Sequence, residues 1–249
     1  MRSVNERLRA TLLRTGVTVE DLASCCGIDP KSVERWISAD RLPHRRHRWA
    51  AARRLGVDET YLWPAALAGR AEAARSELLE VFPSRAAVPR ETWLQLLDGA
   101  GDHIDVLVFS GTFYAQTQPR IAAQLAVRAG VGAKVRLCFG DPKSEAVAIR
   151  GREEGIGDTL GHKIRSSLTY YRPLLDVEGC EVRLHATTLY TSVFRYDDEL
   201  LANPHAYGEA GSANPVLHLR RLGGAGLFDH YSHSFEHVWA TALPWTGEI

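Results

Sequence analysis

The twenty residues from Thr18 to Ile37, TVEDLASCCGIDPKSVERWI, constrain this chain more than any others, because they spell two short amphipathic helices around a glycine turn. Leu22 and Ala23 face inward from the first helix, and Gly27 and Ile28 make the turn. Val33 and Trp36, three apart, form the apolar side of the second helix. Between the turn and Trp36, Lys31, Ser32, Glu34 and Arg35 are polar and directed outward. A bundle of purely structural helices needs the helical period but not this order of small, turn and polar positions. A helix that enters the DNA major groove needs both.

The flanking sequence completes a small all-α domain, assigned to residues 1–67. Val4, Leu8 and Leu12 place apolar residues at helical spacing in a first helix over Val4–Arg14, and Thr18 followed by Asp21 reads as a capping box. A fourth helix is expected over Arg45–Leu55, stopped by Gly56, and a short fifth over Val57–Trp63. The whole stretch resembles the lambda-repressor-like (XRE, Cro/C1-type) helix-turn-helix family. Ala23, Gly27, Val33, Trp36, Pro43 and Leu55-Gly56-Val57 stand where that pattern expects them. The resemblance implies duplex DNA as partner, with Lys31, Ser32, Glu34 and Arg35 reading base edges.

Charge is distributed to match. The chain has formal charge zero, yet residues 1–70 hold 13 Lys or Arg against 8 Asp or Glu, leaving −5 for the remainder. Arg35 to Arg54 alone holds seven Arg against one Asp. Thr18, Arg41, His44, Arg45, Arg46 and Arg48 are the candidate phosphate contacts, since a positive run after a recognition helix gains affinity by counterion release. The same run also reads as a solvated helix face.

At 249 residues and 45% hydrophobic content the chain suits two domains. It has no run of 18 apolar residues, and its first helix is polar and bears arginine, so neither a membrane span nor a signal peptide is expected and a cytoplasmic protein is. Cys25, Cys26, Cys138 and Cys180 lack zinc-site or disulfide-framework spacing and are read as small buried residues. His233 and His237 are four apart but have no third ligand, so no metal or cofactor is expected.

Residues 68–90 read as a connecting helix and linker, with Ala65–Arg75 running on into Leu78-Leu79 and breaking at Phe82-Pro83. Beyond them, 91–249 changes period. Apolar runs at Ile104–Phe109, Lys134–Phe139 and Glu181–His185 alternate with helical segments near 119–129, 144–154 and 160–175. Leu189–Tyr196 and Glu199–Asn203 form a hairpin around Asp197-Asp198. Pro215–Arg220 is a further strand, and Leu227–Thr241 is a closing helix with Phe228, Tyr231, Phe235 and Trp239 on one face. The order predicts an α/β domain, a mixed sheet with helices on both faces.

In its order of elements this domain resembles one half of a phospholipase D-like fold, and the chain resembles bacterial regulators that join an XRE helix-turn-helix to such a domain. Leu189–Asp198, Pro215–Arg221 and the aromatic last helix carry the resemblance. The family's enzymes use His-x-Lys-x4-Asp; with Asp197 as the Asp, the His and Lys positions hold Tyr190 and Ser192, so both catalytic groups are absent and no enzyme activity is expected. Gly211-Ser212-Ala213-Asn214 spells the family's downstream Gly-Ser motif at about twice its usual distance from the Asp, and is read as loop composition.

Strand ends then nominate a site for a small anionic or nucleotide-like effector: Ser110, Thr112 and Tyr114 after the first strand and Asp141 after the second, with Tyr190, Ser192, Arg195, Asn203 and His205 from the hairpin. A buried polar network that only orders the sheet is the alternative. The expected protein is a homodimeric transcriptional regulator with a non-catalytic dimerising or sensing domain. Two other readings stay open, a phosphodiesterase or nuclease using His185 or His205, and a defence or toxin-antitoxin-type regulator that binds a protein partner.

Overall fold

The polypeptide separates into two units, Met1–Arg75 and Ser76–Ile249, and the computed structural model describes residues 4–39, 41–65, 77–118, 120–222 and 226–248. The described part of the first unit is helical: α1 Glu6–Thr15, α2 Val19–Cys26, α3 Pro30–Ser38, α4 Arg45–Leu55 and α5 Glu59–Leu62. Thr18 and Asp21 close the expected capping box, each side chain accepting from the other's backbone N–H. Gly27 takes a left-handed conformation at φ 64°, which a side chain would strain, so α2 stops there and the chain turns into α3. Asp29 caps α3 by accepting from Lys31 N, with Pro30 in the first turn.

Leu8, Leu22, Val33, Ala51 and Leu62 are fully buried, with the Trp36 and Trp63 rings edge to face at 6.0 Å. One polar residue, the buried Asn5, ties three helices. Its backbone donates to Ile37 O, its amide donates to Leu62 O, and its carbonyl oxygen accepts from Leu8 N.

The second unit is built on one eight-stranded sheet, in the order β1-β7-β6-β5-β2-β3-β4-β8. The strands are β1 Leu78–Phe82, β2 His103–Val108, β3 Lys134–Gly140, β4 Cys180–His185, β5 Thr191–Tyr196, β6 Glu199–Pro204, β7 Val216–Arg220 and β8 Leu243–Pro244. β2, β3 and β4 pair in parallel, and all other neighbours are antiparallel. The helices are α6 Arg90–Gly99, α7 Thr112–Thr117, α8 Ile121–Gly130, α9 Glu145–Glu153, α10 Thr159–Tyr171 and α11 Leu227–Thr241.

Strand alternation sorts the two faces. Phe139 and Phe194 point to the side where Trp93 of α6, Tyr114 of α7 and Tyr171 of α10 pack on them. Asp105, Arg136 and Arg195 point to the other side, under Phe228, Phe235 and Trp239 of α11. The sheet is therefore mixed and covered by helices on both faces, as the strand and helix periods predict.

The sequence reading fails at the start of this unit. Residues 78–82, expected as the end of a connecting helix, form β1, an edge strand antiparallel to β7, so 77–90 belongs to the domain and not to a linker. The helical period of Leu78-Leu79 yields because β7 offers unpaired backbone groups that a strand can satisfy. The expected connecting helix over 66–75 lies outside the described residues. The cysteines also differ from expectation: Cys138 is buried, Cys26 and Cys180 are half-buried, and Cys25 is exposed, all with free thiols. Among the described residues no helix is long and apolar enough to cross a membrane, and no cluster of metal-ligating side chains occurs.

Candidate functional site

Two surfaces carry the chemistry the sequence nominated, one in each unit. In the first, α3 buries Val33 and Trp36, which leaves Lys31, Glu34 and Arg35 exposed and Ser32 half-buried on its outer side. Arg41, His44, Arg45 and Arg46 follow, all exposed. Ser32, Arg35, Arg41 and His44 line one cleft of about 240 Å³ beside the helix, so the nominated base-reading and phosphate groups share a surface.

Two of the expected phosphate contacts are otherwise engaged. Arg48 is half-buried, donating to Pro43 O at 2.7 Å and pairing with Glu59 at 3.8 Å, because α4 rotates it inward against α5. Thr18 is exposed, but its hydroxyl oxygen and backbone N–H are both used in the capping box beside the Asp21 carboxylate, a poor setting for a phosphate.

In the second unit a cavity of about 610 Å³ opens where β2 ends. Ser110, Thr112 and Tyr114 line it from the β2–α7 turn, and Ser192 and His205 from β5 and the end of β6. Gly111, which opens α7, has φ 62° and a position where a Cβ would collide with the Phe139 ring, so glycine is required at this turn. The Ser192 hydroxyl donates to His205 Nε2 at 3.0 Å, and His205 Nδ1 donates to Leu189 O at 3.2 Å. Burial, with the nearby Arg150 charge, pulls His205 down to about 4, so the ring is neutral at neutral pH.

The remaining nominated residues do not join the cavity. Tyr190 is 76% exposed and lines a separate, smaller cleft. Arg195 lies toward the opposite end of β5, donating to Asp105 at 3.3 Å and to the Asp197 carbonyl at 2.9 Å. There Asp105 also receives both Nε and Nη2 of Arg136, whose guanidinium reaches Glu236 of α11 as well. Arg195 thus orders the sheet beneath α11. Asn203 is fully buried and donates to the Asn214 and Pro215 carbonyls, so it supports the cavity wall from behind. His185 is also buried, donating from Nε2 to Val108 O while Nδ1 accepts from Thr187 N, and burial holds it below its ordinary value.

Asp197 does not face the cavity. At φ 50° in the β5–β6 turn, its carboxylate accepts from the backbone N–H groups of Gly101, Asp102 and His103. Burial opposes its ionisation, but these three donors hold its carboxyl below the usual range.

Among the lining residues that escape the sequence reading are Arg85, Lys163, Gly211 and Ser212. Gly211-Ser212-Ala213-Asn214 reads as loop composition in the sequence, yet Gly211 and Ser212 form the wall and Asn214 is buried. Asn214 pins the loop by accepting from Ala206 N and donating to Ala210 O. The Gly-Ser signal was present in the sequence; Arg85 had none, because it sits on a short 3-10 turn, Arg85–Ala87, docked through Arg85 N to Asn214 O and Ala86 N to Ser212 O.

No protein-family model and no curated protein matches the chain. Among solved structures it is similar to that of TrmBL2, an archaeal chromatin protein described as showing a novel mode of DNA binding, at 10% identity and a TM-score of 0.44, over 88% of this chain and 72% of that one.

Proposed function

We propose that this protein is a sequence-specific DNA-binding regulator that acts in the cytoplasm as a homodimer, with the first unit as an XRE-type helix-turn-helix and the second, of phospholipase D-like ancestry, as a non-catalytic module. The observation that carries the reading is the outer side of α3: its apolar residues are spent on the core, and Lys31, Glu34 and Arg35 remain exposed beside the exposed Arg41, His44, Arg45 and Arg46. Long polar side chains at a helix start reach base edges while a flanking basic segment holds the backbone. Homodimerisation follows from affinity, since one such unit makes few contacts and two-fold pairing sets recognition helices on half-sites about 34 Å apart.

The same geometry disfavours the nuclease reading. Both ring nitrogens of His185 and both of His205 are engaged by protein groups, so neither presents a free nitrogen to phosphorus. Selection of duplex sites from a random pool, followed by anisotropy titration with the selected and a scrambled duplex, tests the proposal. A selected duplex bound at least about 1000-fold more tightly than the scrambled one is expected. Equal affinity for both, or cleavage of the DNA, would overturn it, and a monomer in sedimentation with bound operator would remove the dimer.

A further inference from the structure

Arg85 is a half-buried guanidinium of the second unit that makes no ion pair among the described residues, although the Glu154 carboxylate lies near enough to favour its charge. It lines the cavity, where its Nη1 makes a single long bond of 3.3 Å to Asn203 Oδ1 and its guanidinium sits 4.8 Å over the Phe113 ring. Its Nε is buried and has no hydrogen-bond partner among the described residues, nor does any described carboxylate lie within ion-pairing distance of it. Arg136, by contrast, is buried with two carboxylates around it. A half-buried guanidinium with no ion pair keeps hydrogen-bonding capacity that an anion in the cavity can take up.

We infer that the cavity binds a small aromatic monocarboxylate, its carboxylate held by the Arg85 Nη groups and its ring set against the apolar wall that Phe109 and Phe113 contribute. The wall chemistry fixes the class. Lys163 stands exposed at the mouth and Glu154 also lines the cavity, but Arg150 binds Glu154 at 2.8 Å and Glu153 at 3.7 Å. Arg85, Lys163 and Arg150 against Glu153 and Glu154 leave one net positive charge, which balances a monoanion and leaves a dianion half compensated. The planar fork of arginine suits the two oxygens of a carboxylate. A volume of about 610 Å³ lies within the ordinary range for small-ligand sites and exceeds what an isolated ion requires. The inference is independent of DNA binding.

Thermal melting and calorimetric titration of the full chain with benzoate, salicylate and indole-3-acetate, against chloride and inorganic phosphate at matched ionic strength, test it. At least one aromatic acid should bind saturably, with affinity lowered about tenfold or more in Arg85→Met. Without ligand, Arg85→Met should melt no lower than the parent, because it removes a partly desolvated charge that makes no ion pair; a structural arginine would melt lower. Lys163→Ala, at an exposed position, provides the second variant and should weaken binding several-fold without changing the fold. Absence of saturable binding by all three acids, tighter binding of phosphate than of any of them, or wild-type affinity in Arg85→Met would overturn the inference.

Discussion

The Glu77 carboxylate accepts a hydrogen bond from Leu227 N at 2.6 Å, joining the first described residue of the second unit to the N-terminus of its last long helix. Glu77 is 2% exposed, and a Cβ at Gly226 would collide with its carboxylate. An acceptor at this place satisfies backbone donors that α11 leaves without intrahelical partners. Glu77→Ala should lower stability by about 1–2 kcal/mol, and Gly226→Ala by a similar amount or more. A fragment that begins at residue 91 should fail to fold, while one that begins at 76 should fold; urea denaturation followed by circular dichroism checks all of these.

Arg35→Ala should cost about 1–3 kcal/mol on a selected operator and little on random duplex, as expected of a group that reads base edges from the outer side of α3. Anisotropy titration of both duplexes measures it. Equal losses on the two would assign Arg35 to phosphate.

Arg41, Arg45 and Arg46 are exposed, whereas Arg48 is held by Pro43 O and Glu59. Replacing the first three by alanine should flatten the dependence of binding on salt by about one unit of slope per lost contact. Arg48→Ala should leave that slope unchanged and instead lower the stability of the first unit by about 1–2 kcal/mol.

His205 is neutral in the folded protein down to about pH 4, while in the unfolded chain it takes up a proton near its ordinary value of 6.5. Its folded value is depressed, so its contribution is fully present above about pH 6.5 and is lost as pH falls toward 4, by at most on the order of 3 kcal/mol. His185, also depressed, acts in the same direction. Denaturation at a series of pH values should show stability falling through this window, and less steeply in His205→Gln. An identical slope in the variant would show that His205 titrates alike in both states.

Gly111→Ala should lower stability by about 2–4 kcal/mol, combining the left-handed backbone with the collision against Phe139, and thermal melting reads it.

What the sequence determined by itself is local. Periods of 3.6 and 2 located α1 to α4, the strands from β2 to β7 and the closing helix, because each buries a face whose spacing is written in consecutive residues. The Thr18 and Asp21 cap and the Gly27 turn are likewise decided within four residues of chain. The outer residues of α3 were legible for the same reason.

Tertiary structure decided the rest. Leu78–Phe82 carries a pattern either period tolerates, and only pairing with β7 makes it a strand. Arg195 and Arg85 are equally plausible anion ligands as residue types. Asp105, 90 positions before Arg195 in the chain, claims one of them, while the docking of residues 85–87 on 212–214 delivers the other to a cavity that its sequence neighbours do not announce. Charge compensation depends on what lies nearby in space, and a sequence orders only what lies nearby along the chain.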